Sequence, residues 1–144
     1  ETRRILGDYV LCLDDFKRCA VFDDEIGRYA YPVDIHPSTP AVEDYAHFRE
    51  EFEALRYQEG ESYGIPYRIL TPQGLDNVLV AGRCVSSDRY LQGSIRVMPG
   101  CYITGQAAGV AAAMAVEQQC TIREVDVKAL QSRLKAMGAY LPNA

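Results

Sequence analysis

The chain has 144 residues, of which 24% are charged and 48% hydrophobic, with a net charge of -5 at pH 7. This is the size and composition of one ordinary globular domain, which excludes global disorder. Scattered basic residues in an acidic chain argue against a nucleic-acid partner, and no apolar stretch is long enough to span a bilayer. No signal peptide is visible in this sequence. The expected location is the cytoplasm, with secretion of the parent as the alternative.

The cysteines and histidines do not have the spacing of a metal site. Five cysteines occur without any Cys-x-x-Cys pair, and the only histidines are His36 and His47. Zinc requires about four clustered nitrogen or sulfur ligands. We therefore expect no bound metal and reduced, mostly buried thiols.

The first half of the chain predicts short, mixed elements. Alternation of β-branched and aromatic residues with charges predicts a strand over residues 2–13, or two strands broken at Gly7. Asp14 and Asp15 are candidate N-caps for a short helix that ends at Cys19. The expected elements that follow are a helical turn over 22–26, an extended segment over 31–35, a loop over 36–40 and an amphipathic helix over 42–57.

The second half is richer in small and apolar residues. Its expected elements are a strand over 63–70, a turn over 71–74, a buried central strand over 77–81, a polar loop, a helix from Tyr102 or Thr104 to Glu117, and a last helix over 127–137. The last helix has Asp126 as its N-cap and Gly138 as its C-terminal stop.

The helix before Glu117 consists almost entirely of glycine and alanine over residues 105–113. Free amides and the positive dipole end at a helix start suit a negatively polarised oxygen of a ligand. Small residues also let a helix pack closely in an interior, and composition alone favours that alternative.

Four groups of residues form a joint pattern around this helix. They are Gly82-Arg83 after an apolar run, Ser86 in the loop, Gly93-Ser94-Ile95-Arg96-Val97-Met98-Pro99, and Gly105-Gln106-Ala107-Ala108-Gly109. The pattern resembles the last cofactor-binding segment of FAD-dependent oxidoreductases with a glutathione-reductase-like FAD domain. The chain has no Gly-x-Gly-x-x-Gly motif, which such enzymes use to hold the FAD diphosphate.

The resemblance implies an α+β or α/β fragment, the C-terminal portion of a flavoprotein. Residues 1–68 would belong to a mixed-sheet substrate domain. Residues 69–119 would add the last strand and the flavin-facing helix of an FAD-binding domain, and residues 120–144 would form a C-terminal helix and tail. The parent would transfer a hydride between an organic substrate and FAD. The partners implied are a small-molecule substrate, the missing N-terminal half of the FAD domain and a possible second copy, and this chain alone would bind FAD weakly or not at all.

The resemblance also implies site residues. The cofactor-binding candidates are Gly82, Arg83, Ser86, Arg96, Met98, Pro99, Gly105, Gln106, Ala107 and Gly109. His36, which follows an extended run, is the candidate general acid or base, although a loop histidine bonded to backbone is equally compatible with the sequence. Tyr31, Tyr67 and Arg68 are candidate substrate-facing neighbours.

Two departures from the family pattern stand out. Asp88-Arg89-Tyr90 replaces a Thr-His-Glu, which removes a histidine from the loop, and Gly100 replaces a threonine, which adds flexibility before the helix. The alternatives are a stand-alone α+β interaction module without a cofactor, and a cysteine- or histidine-dependent hydrolase, which the sparse histidines disfavour.

Overall fold

The structure is a computed structural model and describes residues 3–35 and 55–144. These residues form a mixed α+β fold, as expected, with a two-stranded antiparallel sheet and four α-helices. The elements in chain order are α1 (Leu13–Lys17), β1 (Glu25–Tyr29), β2 (Tyr63–Pro66), α2 (Arg89–Ile95), α3 (Met98–Gln118) and α4 (Val127–Ala136). The division at residues 68 and 119 stays a prediction.

The sheet begins where the sequence predicted a helical turn. β1 starts at Glu25, whose carboxylate is buried against the Arg28 guanidinium at 2.6 Å. The two charged residues would be unfavourable in a buried strand if they were unpaired, and this ion pair compensates both charges. β1 pairs with β2 in a register that places Tyr29 opposite Tyr63. The strand predicted over 63–70 stops at Pro66 and continues as one 3₁₀ turn.

The predicted strand over residues 2–13 is wrong over its described part. This segment makes only isolated bridges, Gly7 with Pro72 and Leu11 with Ser87, so it lies along the rest of the fold without forming a ladder. The short helix after it is confirmed as α1, although its N-cap is Cys12.

α2 lies in the region that the sequence predicted as a polar loop. Asp88 is its N-cap, since one carboxylate oxygen accepts from the amide of Leu91 at 2.7 Å. The other oxygen accepts from the amide of Leu13, the first residue of α1, at 2.8 Å. One aspartate therefore caps two helices.

The predicted central strand over residues 77–81 is also wrong. Within the described parts of the chain, this segment joins no ladder, and Val78 is 40% exposed. The amide of Ile122 donates to the carbonyl of Asp76 at 3.1 Å, and the amide of Gly82 donates to Thr104 at 3.0 Å. The segment thus runs beside α3 from its C-terminal end towards its N-terminal end.

The last helix is confirmed. The Asp126 side chain accepts from the amides of Lys128 and Ala129, and Gly138 follows with φ +91°. Within residues 3–35 and 55–144, no helix is both long and apolar enough to cross a membrane.

One hydrophobic core joins the sheet to the helices. Its fully buried side chains include Leu11, Phe16, Ile26, Tyr63, Ile65, Leu91, Ile95, Met114, Leu130 and Leu134. The predicted loop over 36–40 and residues 42–54 of the predicted helix lie outside the described residues, as do His36 and His47. Residues 55–57, the end of that prediction, are not helical.

Candidate functional site

The Gly82 loop is fixed on α3 by one threonine. Gly82 has φ +72°, a conformation that favours glycine, and it opens a single 3₁₀ turn, Gly82–Cys84. Its amide donates to Thr104 Oγ1 at 3.0 Å, while the Thr104 hydroxyl donates to the carbonyl of Gly100 at 2.9 Å. Since Thr104 is fully buried, this bridge keeps the loop and the helix at a set distance.

A buried amide holds the other side of this loop. Gln92 Nε2 donates to the carbonyl of Arg83 at 2.7 Å, and Gln92 Oε1 accepts from Ser87 Oγ at 2.8 Å. The Arg83 side chain itself is exposed. Sequence reasoning missed both Thr104 and Gln92, because their roles depend on contacts that no local pattern indicates.

Ser86 is a cofactor candidate that the structure places inside the core. It is fully buried, and its amide donates to the carbonyl of Ile69 at 3.1 Å. A side chain at Gly7 would approach its Cβ to 2.8 Å. Ser86 Oγ has no hydrogen-bond partner among the described residues. Ser86 therefore packs inside the core, next to the Gly82 loop.

The Gly-Ser-x-Arg part of the motif holds the segment that follows β1. A Cβ at Gly93 would lie 2.8 Å from the carbonyl oxygen of Asp34, so this approach needs glycine. Ser94 Oγ donates to the carbonyl of Tyr31 at 2.6 Å. Arg96 Nη2 donates to the Asp34 carbonyl at 3.2 Å and lies 3.8 Å from its carboxylate. The motif therefore joins α2 to residues 31–35.

The glycine- and alanine-rich helix starts earlier than the sequence predicted. α3 begins at Met98, so Gly105 lies about two turns inside it rather than in its opening turn. Pro99 has no N–H, and the amide of Cys101 is bonded to the carbonyl of Val97 at 3.1 Å. The first-turn amides that stay outside the helical bonding pattern are those of Met98 and Gly100.

The replacement of threonine by Gly100 was expected to add flexibility before α3. The structure shows the opposite. Gly100 is buried in the first turn, and a Cβ there would lie 2.4 Å from the carbonyl oxygen of Ile95. The hydroxyl of Tyr29 lies beside its amide, and burial raises the pKa of that hydroxyl. The close approach of α2 to α3 therefore requires a residue without a side chain at this position.

α3 has one open face and one buried face. Gly105, Gln106 and Gly109 are exposed, and a Cβ at either glycine would meet no atom within 4 Å. Ala107 is fully buried and packs in the core. The exposed large apolar residues on the helix are Met98, Tyr102 and Val116, at 63%, 68% and 79%. Of the predicted cofactor residues, the structure thus brings Met98, Pro99, Gly105, Gln106 and Gly109 to the outside of α3.

The predicted substrate-facing residues separate into two places. Tyr31 lies in a cleft with Pro99, at the start of α3. Tyr67 and Arg68 line a different cavity, where the Tyr67 hydroxyl donates to the carbonyl of Ile122 at 2.8 Å and Arg68 pairs with Asp24 at 2.9 Å. These two are bonded within the fold and away from Tyr31.

One comparison with known proteins gives a match. A family model described as FAD dependent oxidoreductase matches residues 1–134. No curated protein and no solved structure matches the chain.

Proposed function

Because the chain belongs to the FAD-dependent oxidoreductase family, we propose that it supplies one wall of an FAD site. The enzyme would transfer a hydride between an organic substrate and the flavin, in a site of the glutathione-reductase-like kind. When bound, FAD supplies the hydride chemistry, and the protein orients the ring and stabilises developing charge.

The open face of α3 is the observation that carries this proposal. Gly105 and Gly109 leave the helix backbone uncovered, and no side chain of the described residues fills the space that a Cβ would enter. A planar ring could therefore approach the backbone there without displacing any atom. The positive end of the same helix lies at Met98, whose amide stays outside the helical bonds.

The second support is the apolar segment 77–81 beside α3. It is apolar from Val78 to Ala81, yet Val78 is 40% exposed. Its one backbone bond to the described residues outside the segment runs from the amide of Val80 to the carbonyl of Leu70, at 2.9 Å. A strand of the FAD domain, contributed by a polypeptide segment outside residues 1–144, would cover this edge and satisfy its remaining backbone groups.

In this arrangement the residues of the chain have distinct tasks. Met98 would hold negative charge near the helix start through its amide, whereas the buried amide of Gly100 faces the Tyr29 hydroxyl. Arg83 and Arg96 would lie towards anionic parts of the cofactor. The diphosphate anchor would come from the other segment, so FAD binding by this chain alone would be weak or absent. His36 remains the proposed acid or base of the reaction.

A flavin fluorescence titration tests the proposal. FAD is titrated with the chain alone, with a separately produced dinucleotide-binding half of a family member, and with the two together. Quenching in the mixture alone would support the shared site. Saturable micromolar binding of FAD by the chain alone would contradict the statement that the diphosphate anchor lies on the other segment. No quenching in any arm would overturn the FAD site and favour the α+β interaction module.

A matched pair of variants strengthens this test. Gly109→Leu adds bulk to the open face and improves helix propensity, so the chain should fold at least as well as before. Ala136→Leu adds similar bulk to the exposed end of α4. We expect Gly109→Leu to abolish quenching in the mixture and Ala136→Leu to leave it unchanged. Equal quenching by both variants would show that the face is not used.

A further inference from the structure

A cleft of about 470 Å³ lies where β1 leaves the sheet and α3 begins. It is lined in part by Tyr29, Tyr31, Tyr140 and Pro99, and most of its lining is apolar. We call it the tyrosine cleft. The rings of Tyr29 and Tyr31 are nearly parallel, 13° apart, with centroids at 6.3 Å. Tyr31 is 37% and Tyr140 70% exposed, so aromatic surface faces the solvent here.

The charged residues of the tyrosine cleft are already engaged with the protein. Arg28 donates through Nη1 to Glu25 at 2.6 Å and through Nε to Ser62 Oγ at 2.9 Å. Its Nη2 donates to the carbonyl of Ser62 at 2.6 Å. Glu61 accepts from the amide of Gln58 at 2.8 Å. Because all three guanidinium nitrogens of Arg28 are bonded internally, the described lining presents a mostly apolar surface and no open cation to an anionic ligand.

The ring of Tyr29 and the backbone of Tyr31 are held in place before any ligand arrives. Ser94 Oγ donates to the carbonyl of Tyr31, and the hydroxyls of Tyr63 and Ser94 lie 2.9 Å apart inside the core. Tyr29 is packed edge-on against Tyr63, with centroids at 6.2 Å. A binding surface fixed in this way loses little conformational entropy when a ring docks on it.

The tyrosine cleft also adjoins the start of α3. Pro99 lines the cleft and is the second residue of that helix. The buried hydroxyl of Tyr29, a cleft residue, lies beside the amide of Gly100. The cleft therefore borders the helix end at which the flavin is proposed to bind.

We propose that the tyrosine cleft binds an uncharged aromatic ring and is the substrate subsite of the enzyme. The assignment as a substrate subsite rests on the proposed flavin function, whereas binding of an aromatic ring does not. Parallel or edge-on contact with tyrosine rings adds to the apolar burial of an aromatic ligand and not to that of a saturated ring of similar size.

Binding of phenol, with cyclohexanol as its saturated counterpart, tests the proposal on the full chain. The ring signals of ¹³C-labelled tyrosines are followed by NMR while each compound is added. We expect phenol to shift Tyr29, Tyr31 and Tyr140 together and cyclohexanol to shift them much less. Absence of shifts with phenol, or equal shifts with both compounds, would overturn the proposal.

Two variants and one control locate the binding. Tyr31→Leu and Tyr140→Leu should each weaken phenol binding about 2- to 10-fold, the range for loss of one aromatic contact. Tyr140 is largely exposed, so its variant keeps the test valid even if Tyr31→Leu fails to fold. Tyr90→Leu changes an exposed tyrosine of α2 outside the cleft and should leave binding unchanged. Weakening by Tyr90→Leu alone would contradict the location.

The flavin titration separates the two proposals. If phenol binds the three tyrosines but FAD binds in no mixture, the aromatic cleft stands and its substrate role falls with the proposed function. If FAD binds in the mixture but phenol does not shift the tyrosines, the cleft proposal falls and the flavin proposal stands.

Discussion

The amide of Gly82 donates to the side-chain oxygen of Thr104 across 3.0 Å. This contact joins the loop after the apolar segment to the second turn of α3. Thr104 is fully buried and also donates its hydroxyl to the carbonyl of Gly100. The hydroxyl group of Thr104 therefore sets the spacing between the Gly82 loop and α3 on one side of the loop.

Replacement of that hydroxyl should loosen the loop. Thr104→Val leaves the Gly82 amide without its partner, and we expect a loss of about 1–2 kcal/mol in the free energy of unfolding. Urea denaturation measures this change. Thr104→Ser keeps the hydroxyl and should recover most of the loss. If the valine and serine variants are equally stable, the hydrogen bond contributes nothing.

Two glycines of α3 should respond in opposite directions to the same change. Gly100→Ala places a Cβ 2.4 Å from the carbonyl oxygen of Ile95, which the backbone cannot avoid without moving α2 away from α3. We expect destabilisation of about 1–3 kcal/mol. Gly105→Ala meets open space and should stabilise the helix by about 0.5–1 kcal/mol. Thermal unfolding of both variants checks the sign, and a stabilised Gly100→Ala would contradict the packing described.

Asp15 should make stability depend on acid pH. Burial opposes its ionisation, but hydrogen bonds from Arg18, the Cys12 amide and Tyr9 outweigh it, so the pKa of Asp15 lies below its ordinary value. A carboxylate whose folded pKa is lowered stabilises the protein above about pH 4 and loses this contribution as the pH falls through the folded pKa.

A neutral amide at this position should remove part of that dependence. Asp15→Asn cannot accept in the same way from the Arg18 guanidinium at 2.5 Å or from the Tyr9 hydroxyl at 2.8 Å. We expect a loss of about 1–3 kcal/mol at neutral pH and a smaller slope of stability below pH 4. Asp14→Asn changes the exposed neighbour and serves as the control. An unchanged slope in Asp15→Asn would contradict the assignment.

Gln92→Leu tests the second support of the Gly82 loop. The change leaves the Arg83 carbonyl and the Ser87 hydroxyl without the partners they now have at 2.7 and 2.8 Å. We expect a loss of about 1–3 kcal/mol in urea denaturation, together with weaker FAD quenching in the mixture. Gln118→Leu, at the exposed end of α3, should change neither measurement. Full stability in Gln92→Leu would show that water replaces the lost bonds.

Elements with local signals were predicted well. α4 has an aspartate at its start, a stripe of apolar residues and a glycine with positive φ after its end, and each signal acts within a few residues. The turn over 71–74 was likewise visible, since Gly74 has φ +77°. Such elements depend little on the rest of the fold.

Elements that depend on distant contacts were predicted poorly. α2 contains Gly93 and Ser94, which are weak helix formers. Glycine is needed there because the carbonyl of Asp34 approaches closely, and the serine hydroxyl donates to the carbonyl of Tyr31. Segment 77–81 has the composition of a buried strand, but a strand needs a neighbour, and none of the described residues provides one. The same limit applies to the candidate site. The family pattern pointed to Gly105 and Gly109, whose role in cofactor binding stays a prediction, and it gave no sign of the supports at Thr104 and Gln92.

The shared cap at Asp88 links parts of the chain that are far apart in sequence. Its two carboxylate oxygens accept from the first amide of α1 and from an amide in the first turn of α2, 75 and 3 residues away. If the first turn of either helix opens, Asp88 loses one of its two amide donors. Its carboxylate can then turn towards water, which weakens the hydrogen bond at the start of the other helix. In amide hydrogen exchange the two helices should therefore lose protection together, as one cooperative unit, although neither contains enough residues to be stable alone.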